Sequence, residues 1–162
     1  MDSSSQPRKI FGIGLSRTGT TTLAAVMERL GFAVKHLPLS WAEIETVQFA
    51  NDTTVTARLP ELRARYPNAL YICTTREFPA WSASMRKWLG QTEQRAAWYR
   101  RLSHAERRWV DESDEHVYGR STLTLNTLDD EQLRAIYERH HAAMDVFFAG
   151  NPEALLRPLV TS

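Results

Sequence analysis

A chain of 162 residues, 43% of them apolar and with a formal net charge of +1, suits one domain around one core. The near-neutral balance excludes a global basic field for nucleic acid or an anionic membrane surface. The single cysteine, Cys73, excludes an intramolecular disulfide and a paired-cysteine metal site. No apolar run approaches the ~20 residues needed to span a bilayer, and the polar start Met1 to Pro7 lacks the apolar stretch of a signal peptide. These features predict a cytoplasmic protein with a loose tail over residues 1–8 and one folded unit over 9–162.

Lys9 to Leu15 is a short apolar run that ends in glycines, the pattern of a buried strand entering a turn. Leu23, Val26, Met27 and Leu30 then recur at helical spacing, with Gly31 as the stop, and Phe32 to Lys35 reads as a second strand. Together they form a βαβ unit. Pro60 and Pro67 bracket a helix over Glu61 to Tyr66. Ala69 to Thr74 lacks alternation, which predicts a strand buried on both faces of a parallel sheet. Pro79 opens a helix carrying Trp81, Ser84, Met85 and Trp88. Residues 93–118 read as one or two helices. Thr127 and Asp130 resemble a capping box before a long amphipathic helix through Leu133, Ile136, Tyr137, Met144 and Phe147. Leu155 to Val160 reads as a last strand. Strands alternating with helices predict an α/β fold, a three-layer α/β/α sandwich around a central parallel sheet.

The segment Gly14-Leu15-Ser16-Arg17-Thr18-Gly19-Thr20-Thr21 follows a strand and opens a helix. Glycines let the backbone amides approach an anion, and the unpaired N–H groups and dipole of the first helical turn favour negative charge. The Gly14-x4-Gly19 spacing is that of a phosphate loop, but Thr20 and Thr21 stand where Walker A demands Lys then Ser or Thr. The missing lysine argues against ordinary ATP or GTP hydrolysis. Arg17 supplies a guanidinium instead, placed to stabilise charge on a phosphosulfate.

Ile13 to Leu23 resembles the 5′-phosphosulfate loop of the sulfotransferases that use 3′-phosphoadenosine 5′-phosphosulfate (PAPS). That resemblance implies that Ser16, Arg17, Thr18, Gly19, Thr20, Thr21 and Thr22 hold the 5′ group of PAPS and that Arg17 assists the leaving oxygen. The family pairs this loop with an arginine at a strand end and a serine eight residues later, which together grip the 3′-phosphate. Arg76 and Ser84 have that spacing, and Arg76 ends a predicted parallel strand, where open α/β sheets bind ligands. Tyr66 to Ala69 and the Trp81-x-x-Ser84 pair resemble a small microbial and fungal-type subgroup.

Sulfuryl transfer calls for a base near the acceptor. His36, after the second strand, and Asp52, before the next helix, both fall on the expected ligand edge. His140-His141 is poor ligand geometry, so no metal site is expected. Cys73 reads as a core residue, and Arg100, Arg101, Arg107 and Arg108 as a solvated helix face. The aromatic residues from 81 to 118 fit core packing or an acceptor pocket. The expected activity is sulfuryl transfer from PAPS to a small hydroxyl or amine acceptor, with 3′,5′-ADP as product and no nucleic-acid or membrane partner. A P-loop kinase-like phosphotransferase and a non-catalytic nucleotide-binding module are the alternatives.

Overall fold

The computed structural model describes residues 8–161. Its centre is a five-stranded sheet of β1 (Ile10–Gly12), β2 (Val34–His36), β3 (Phe49–Asn51), β4 (Leu70–Ile72) and β5 (Leu155–Leu156), in the order β2-β3-β1-β4-β5. Every pairing is parallel. The helices are α1 (Thr20–Arg29), α2 (Trp41–Glu45), α3 (Thr53–Thr56), α4 (Leu59–Arg65), α5 (Phe78–Leu89), α6 (Thr92–Arg101), α7 (His104–Tyr118) and α8 (Asp130–Phe147), with a 3₁₀ turn at Thr122–Thr127. The sandwich expected from the alternation of elements is present. The expected tail lies outside the described residues except for Arg8, whose Nε donates to the Asn68 carbonyl.

The strands alternate side chains between two cores, as a period of two requires. Phe11, Ala50 and Tyr71 face one side and pack against Leu62 of α4 and Met144 of α8. Ile10, Phe49 and Ile72 face the other and pack against Ala24 and Met27 of α1. A third cluster joins Leu15, Trp81, Met85, Tyr118 and Leu133. It draws on α5, α7 and α8 and braces the loop that follows β1. No helix among the described residues is long and apolar enough to cross a membrane.

Two sequence expectations change. β3 was not expected, yet it pairs with both β1 and β2 and splits the first βαβ unit. Its Phe49-Ala50-Asn51 run is too short to show a period, and only pairing on both sides makes it a strand. The box that starts α8 is built by Asp129 and Gln132, each side chain bonding the other's backbone amide (3.0 and 2.8 Å). Asp130 pairs with Arg86 instead, accepting from its Nε at 2.7 Å.

Candidate functional site

Four strands end at one edge of the sheet, and each delivers a side chain or loop to it. β1 leads into the glycine loop, β2 ends at His36, β3 is followed by Asp52, and β4 leads to Arg76. At this edge lies a cavity of about 510 Å³. Of the residues expected from the sequence, Ser16, Arg17, Gly19, Thr20, Thr21 and Thr22 line it, as do His36, Asp52, Arg76 and Ser84. Thr18 does not.

The loop owes its shape to close approach and to a left-handed turn. A Cβ on Gly14 would stand 2.4 Å from Thr74 Oγ1 and 2.8 Å from the Thr74 carbonyl oxygen, so only glycine lets the loop lie against the end of β4. Gly19 caps α1 at φ 95°, a conformation that L side chains adopt at a cost. Leu23 is the first α1 amide to bond back, to the Gly19 carbonyl (2.9 Å). The amides of Thr20, Thr21 and Thr22 come before it, in the turn that has no carbonyls to pair with. Arg17 (φ 71°) and Asp52 (φ 92°) also hold positive φ. Backbone strain of this kind costs about 1–3 kcal/mol per residue and concentrates where surrounding structure over-determines a site.

The surrounding bonds explain that over-determination. The Ser16 amide donates to Tyr118 Oη (3.1 Å), the Ser16 carbonyl accepts from Trp81 Nε1 (2.9 Å), and Ser16 Oγ donates to Asp52 Oδ1 (2.8 Å). Burial pushes the Tyr118 phenol well above its ordinary value, so it stays neutral. Thr18 turns inward: its hydroxyl donates to the Leu15 carbonyl at 2.6 Å and meets Thr74 Oγ1 at 2.7 Å. The expectation that this hydroxyl meets a phosphate is corrected, because the bonds it makes tie the loop to β4.

Asp52 was expected as a base. Its Oδ1 accepts from Ser16 Oγ and from the Thr53 amide (2.6 Å), and its Oδ2 accepts from Thr20 Oγ1 (2.9 Å). It caps α3 and cross-links the loop, the first turn of α1 and the end of β3. A carboxylate so engaged braces the loop against α1 and α3. His36 differs. The Asn51 amide nitrogen donates to the Thr20 carbonyl (2.7 Å), which leaves Asn51 Oδ1 facing His36 Nδ1 at 2.9 Å. That acceptor holds a proton on Nδ1. Nε2 lies 3.5 Å from Thr21 Oγ1 and 3.4 Å from Asp52 Oδ2.

The two halves of the site meet across a long stretch of chain. Arg17 Nε donates to Ser84 Oγ at 3.2 Å, and Arg76 Nη1 donates to the Arg17 carbonyl at 3.4 Å. Arg76 Nε is buried with no hydrogen-bond partner among the described residues. Two guanidiniums and a helix N-terminus at one end of a cavity make a receptor for anionic oxygens.

Trp88 and Trp98, among the aromatic residues open to core packing or an acceptor pocket, also line the cavity, together with Arg95, Val110 and Asp114, which the sequence reading missed. Arg95 stacks over Trp88, 4.8 Å from its ring centre, and donates to the carbonyls of Leu89 and Thr122. Asp114 accepts from Thr122 Oγ1 at 2.8 Å, and burial pushes its carboxyl up to about 7. One signal was available: Val110, Asp114 and Val117 fall at i, i+4 and i+7, which puts a carboxyl on the buried stripe of α7.

The remaining candidates lie away from the cavity. His140 is buried beside Cys73, with Nε2 3.5 Å from Sγ. Burial drives the imidazole down to about 3 and the thiol up to about 11, so both are neutral near pH 7.

A sequence profile described as a sulfotransferase domain matches residues 40–160. That stretch takes in Asp52, Arg76, Ser84 and Asp114 and begins beyond the glycine loop. None of the curated proteins matches the chain in sequence.

Proposed function

The chain belongs to the sulfotransferase domain family, and from that premise we propose that it transfers a sulfuryl group from PAPS to a hydroxyl or amine acceptor. One observation carries the PAPS reading: the glycine loop and the Arg76–Ser84 pair, far apart in sequence, touch through Arg17 at one end of one cavity. An adenine nucleotide with phosphoryl groups on both its 3′ and 5′ oxygens needs two anion sites that close together.

The residues present fit such a ligand. In this reading the first-turn amides of α1 and Arg17 hold the 5′ group, while Arg76, with its unpartnered Nε, and Ser84 hold the 3′-phosphate. When bound, PAPS supplies the sulfuryl group. Arg17 stabilises the charge that develops on the departing oxygen, a contribution of about 10²–10³ in rate for a single well-placed donor. Asp52 keeps Ser16 and Thr20 in register, and His36 Nε2, 3.5 Å from Thr21 Oγ1, is the proton acceptor in this reading. The kinase-like alternative needs a cation at position 20. A threonine stands there, its hydroxyl donated to Asp52.

Thermal-shift titration tests this reading. Stabilisation by 3′,5′-ADP and none by Mg-ATP is the expected result, and stabilisation by Mg-ATP alone would turn the assignment to a phosphotransferase. Arg76→Ala should weaken 3′,5′-ADP by about tenfold or more, as loss of a charged contact does, while 5′-AMP is little changed. Equal losses for the two nucleotides would refute the 3′-phosphate site. Transfer of labelled sulfate from PAPS separates the enzyme from a non-catalytic binder.

A further inference from the structure

The α5–α6–α7 side of the cavity has a different chemistry from the glycine-loop side, and its parts come from helical spacing. Arg95 and Trp98 lie three residues apart on one face of α6, and Val110 and Asp114 lie four apart on one face of α7. Both faces line the cavity.

Two of these side chains have no structural duty that accounts for them. Trp98 is half-buried and belongs to none of the three core clusters, unlike Trp81 and Trp88. The other tryptophans are engaged elsewhere, Trp41 against Trp109 in an edge-on pair with ring centres 5.8 Å apart. Asp114 is 8% exposed, and its one hydrogen bond is to Thr122 through Oδ2. Oδ1 has no protein partner among the described residues. The nearby cation forms no direct ion pair with it: Arg95 donates to the carbonyls of Leu89 and Thr122 and stacks over the ring of Trp88. The desolvated carboxyl with its free oxygen and the uncommitted indole line the same cavity, and the carboxyl has no ion-pair partner among the described residues. An ammonium supplies one, paired with the carboxylate and attracted to the ring.

Resting on the sulfotransferase reading above, we propose that the α5–α6–α7 end of the cavity is the acceptor subsite and that it selects hydroxyl compounds carrying an ammonium group, held by Asp114 and Trp98. The ammonium anchors the far end of the acceptor, which leaves its hydroxyl to face the glycine loop. Asp114 is therefore a specificity residue for the acceptor, distinct from Asp52 in the loop brace.

Three compounds of one shape and different charge test this: tyramine (cation), 4-ethylphenol (neutral) and 4-hydroxyphenylacetate (anion). Calorimetric titration into the protein saturated with 3′,5′-ADP should rank them in that order, with tyramine about tenfold tighter than 4-ethylphenol. Asp114→Asn should bring tyramine to within about twofold of 4-ethylphenol, because the amide keeps the shape and removes the charge. Trp98→Leu should weaken tyramine several-fold more than 4-ethylphenol. Both variants should keep the wild-type affinity for 3′,5′-ADP, which also reports that they are folded. Equal binding of the three compounds, no binding of any, or a tyramine preference that survives Asp114→Asn would overturn the proposal. If 3′,5′-ADP fails to bind, the nucleotide reading falls by itself. The same series without nucleotide then still reads the subsite, and a tyramine preference lost in Asp114→Asn would uphold it.

Discussion

Replacing Asp114 with asparagine should stabilise the protein at alkaline pH and leave it unchanged in acid. The carboxyl lies on the inward face of α7 between Val110 and Val117, with a single bond from Thr122 Oγ1 at 2.8 Å. Burial above all, with the carboxylates of Asp52 and Asp111, raises it from 3.8 to about 7 against opposing contributions from Thr122 and Arg95. The folded protein therefore binds this proton more tightly than the unfolded chain does. Unfolding releases the proton between about pH 4 and pH 7, so stability falls as pH rises through that window. The gap from 3.8 to about 7, at ~1.4 kcal/mol per pH unit, sets a cost of up to about 4 kcal/mol above pH 7. Asparagine has the same shape, accepts the Thr122 bond through Oδ1 and carries no charge. Urea unfolding followed by tryptophan fluorescence, at pH 4.5, 6 and 8, reads the difference between variant and wild type. Relative to the acid limit, that difference should be about 1 kcal/mol at pH 4.5 and grow toward about 4 kcal/mol at pH 8. A variant less stable than wild type at pH 8, or a difference that ignores pH, would show that the carboxyl is well solvated or already paired. A gain in stability together with a loss of amine preference is the trade expected where a site keeps a costly group for function.

Gly14→Ala puts a methyl 2.4 Å from Thr74 Oγ1 and 2.8 Å from the Thr74 carbonyl, overpacking that costs about 1–3 kcal/mol. A lowered melting temperature with weaker 3′,5′-ADP binding is expected, and wild-type values for both would contradict the packed loop. Cys73 is fully buried with its thiol pushed up to about 11. At pH 8 a thiol reagent should label it only after denaturation, so stoichiometric labelling of the native protein within minutes would refute the buried placement.

The features legible in the sequence are those whose chemistry is local. Gly14, Arg17, Gly19 and the threonines sit at a strand–helix junction, where a few consecutive residues set both the backbone path and the donors. Arg76 and Ser84 were legible for a related reason, because a strand end and the following helix place them within one supersecondary unit. β3 was not, because Phe49-Ala50-Asn51 has no periodicity of its own and is a strand through its two neighbours. The same holds for side-chain duties. Thr18 and Asp52 are of types that bind phosphate or take protons. Which hydroxyl turns inward to Thr74, and which carboxylate is consumed by Ser16, Thr20 and Thr53, depends on bonds to β4, α1 and α3.

From the order of its residues alone, this chain specifies a parallel α/β sheet, a glycine loop at a strand–helix junction without the Walker lysine, and a second arginine at a strand end. Hydrophobic period, glycine and charge act over a few residues, so they can be read without knowing what comes to lie opposite. The meeting of Arg17 with Ser84 and Arg76, and the tryptophan-lined end around Asp114, arise only when α5, α6 and α7 fold over the sheet edge. Burial and the lack of a counter-ion are properties of what surrounds a carboxyl, and no residue carries its surroundings in its name.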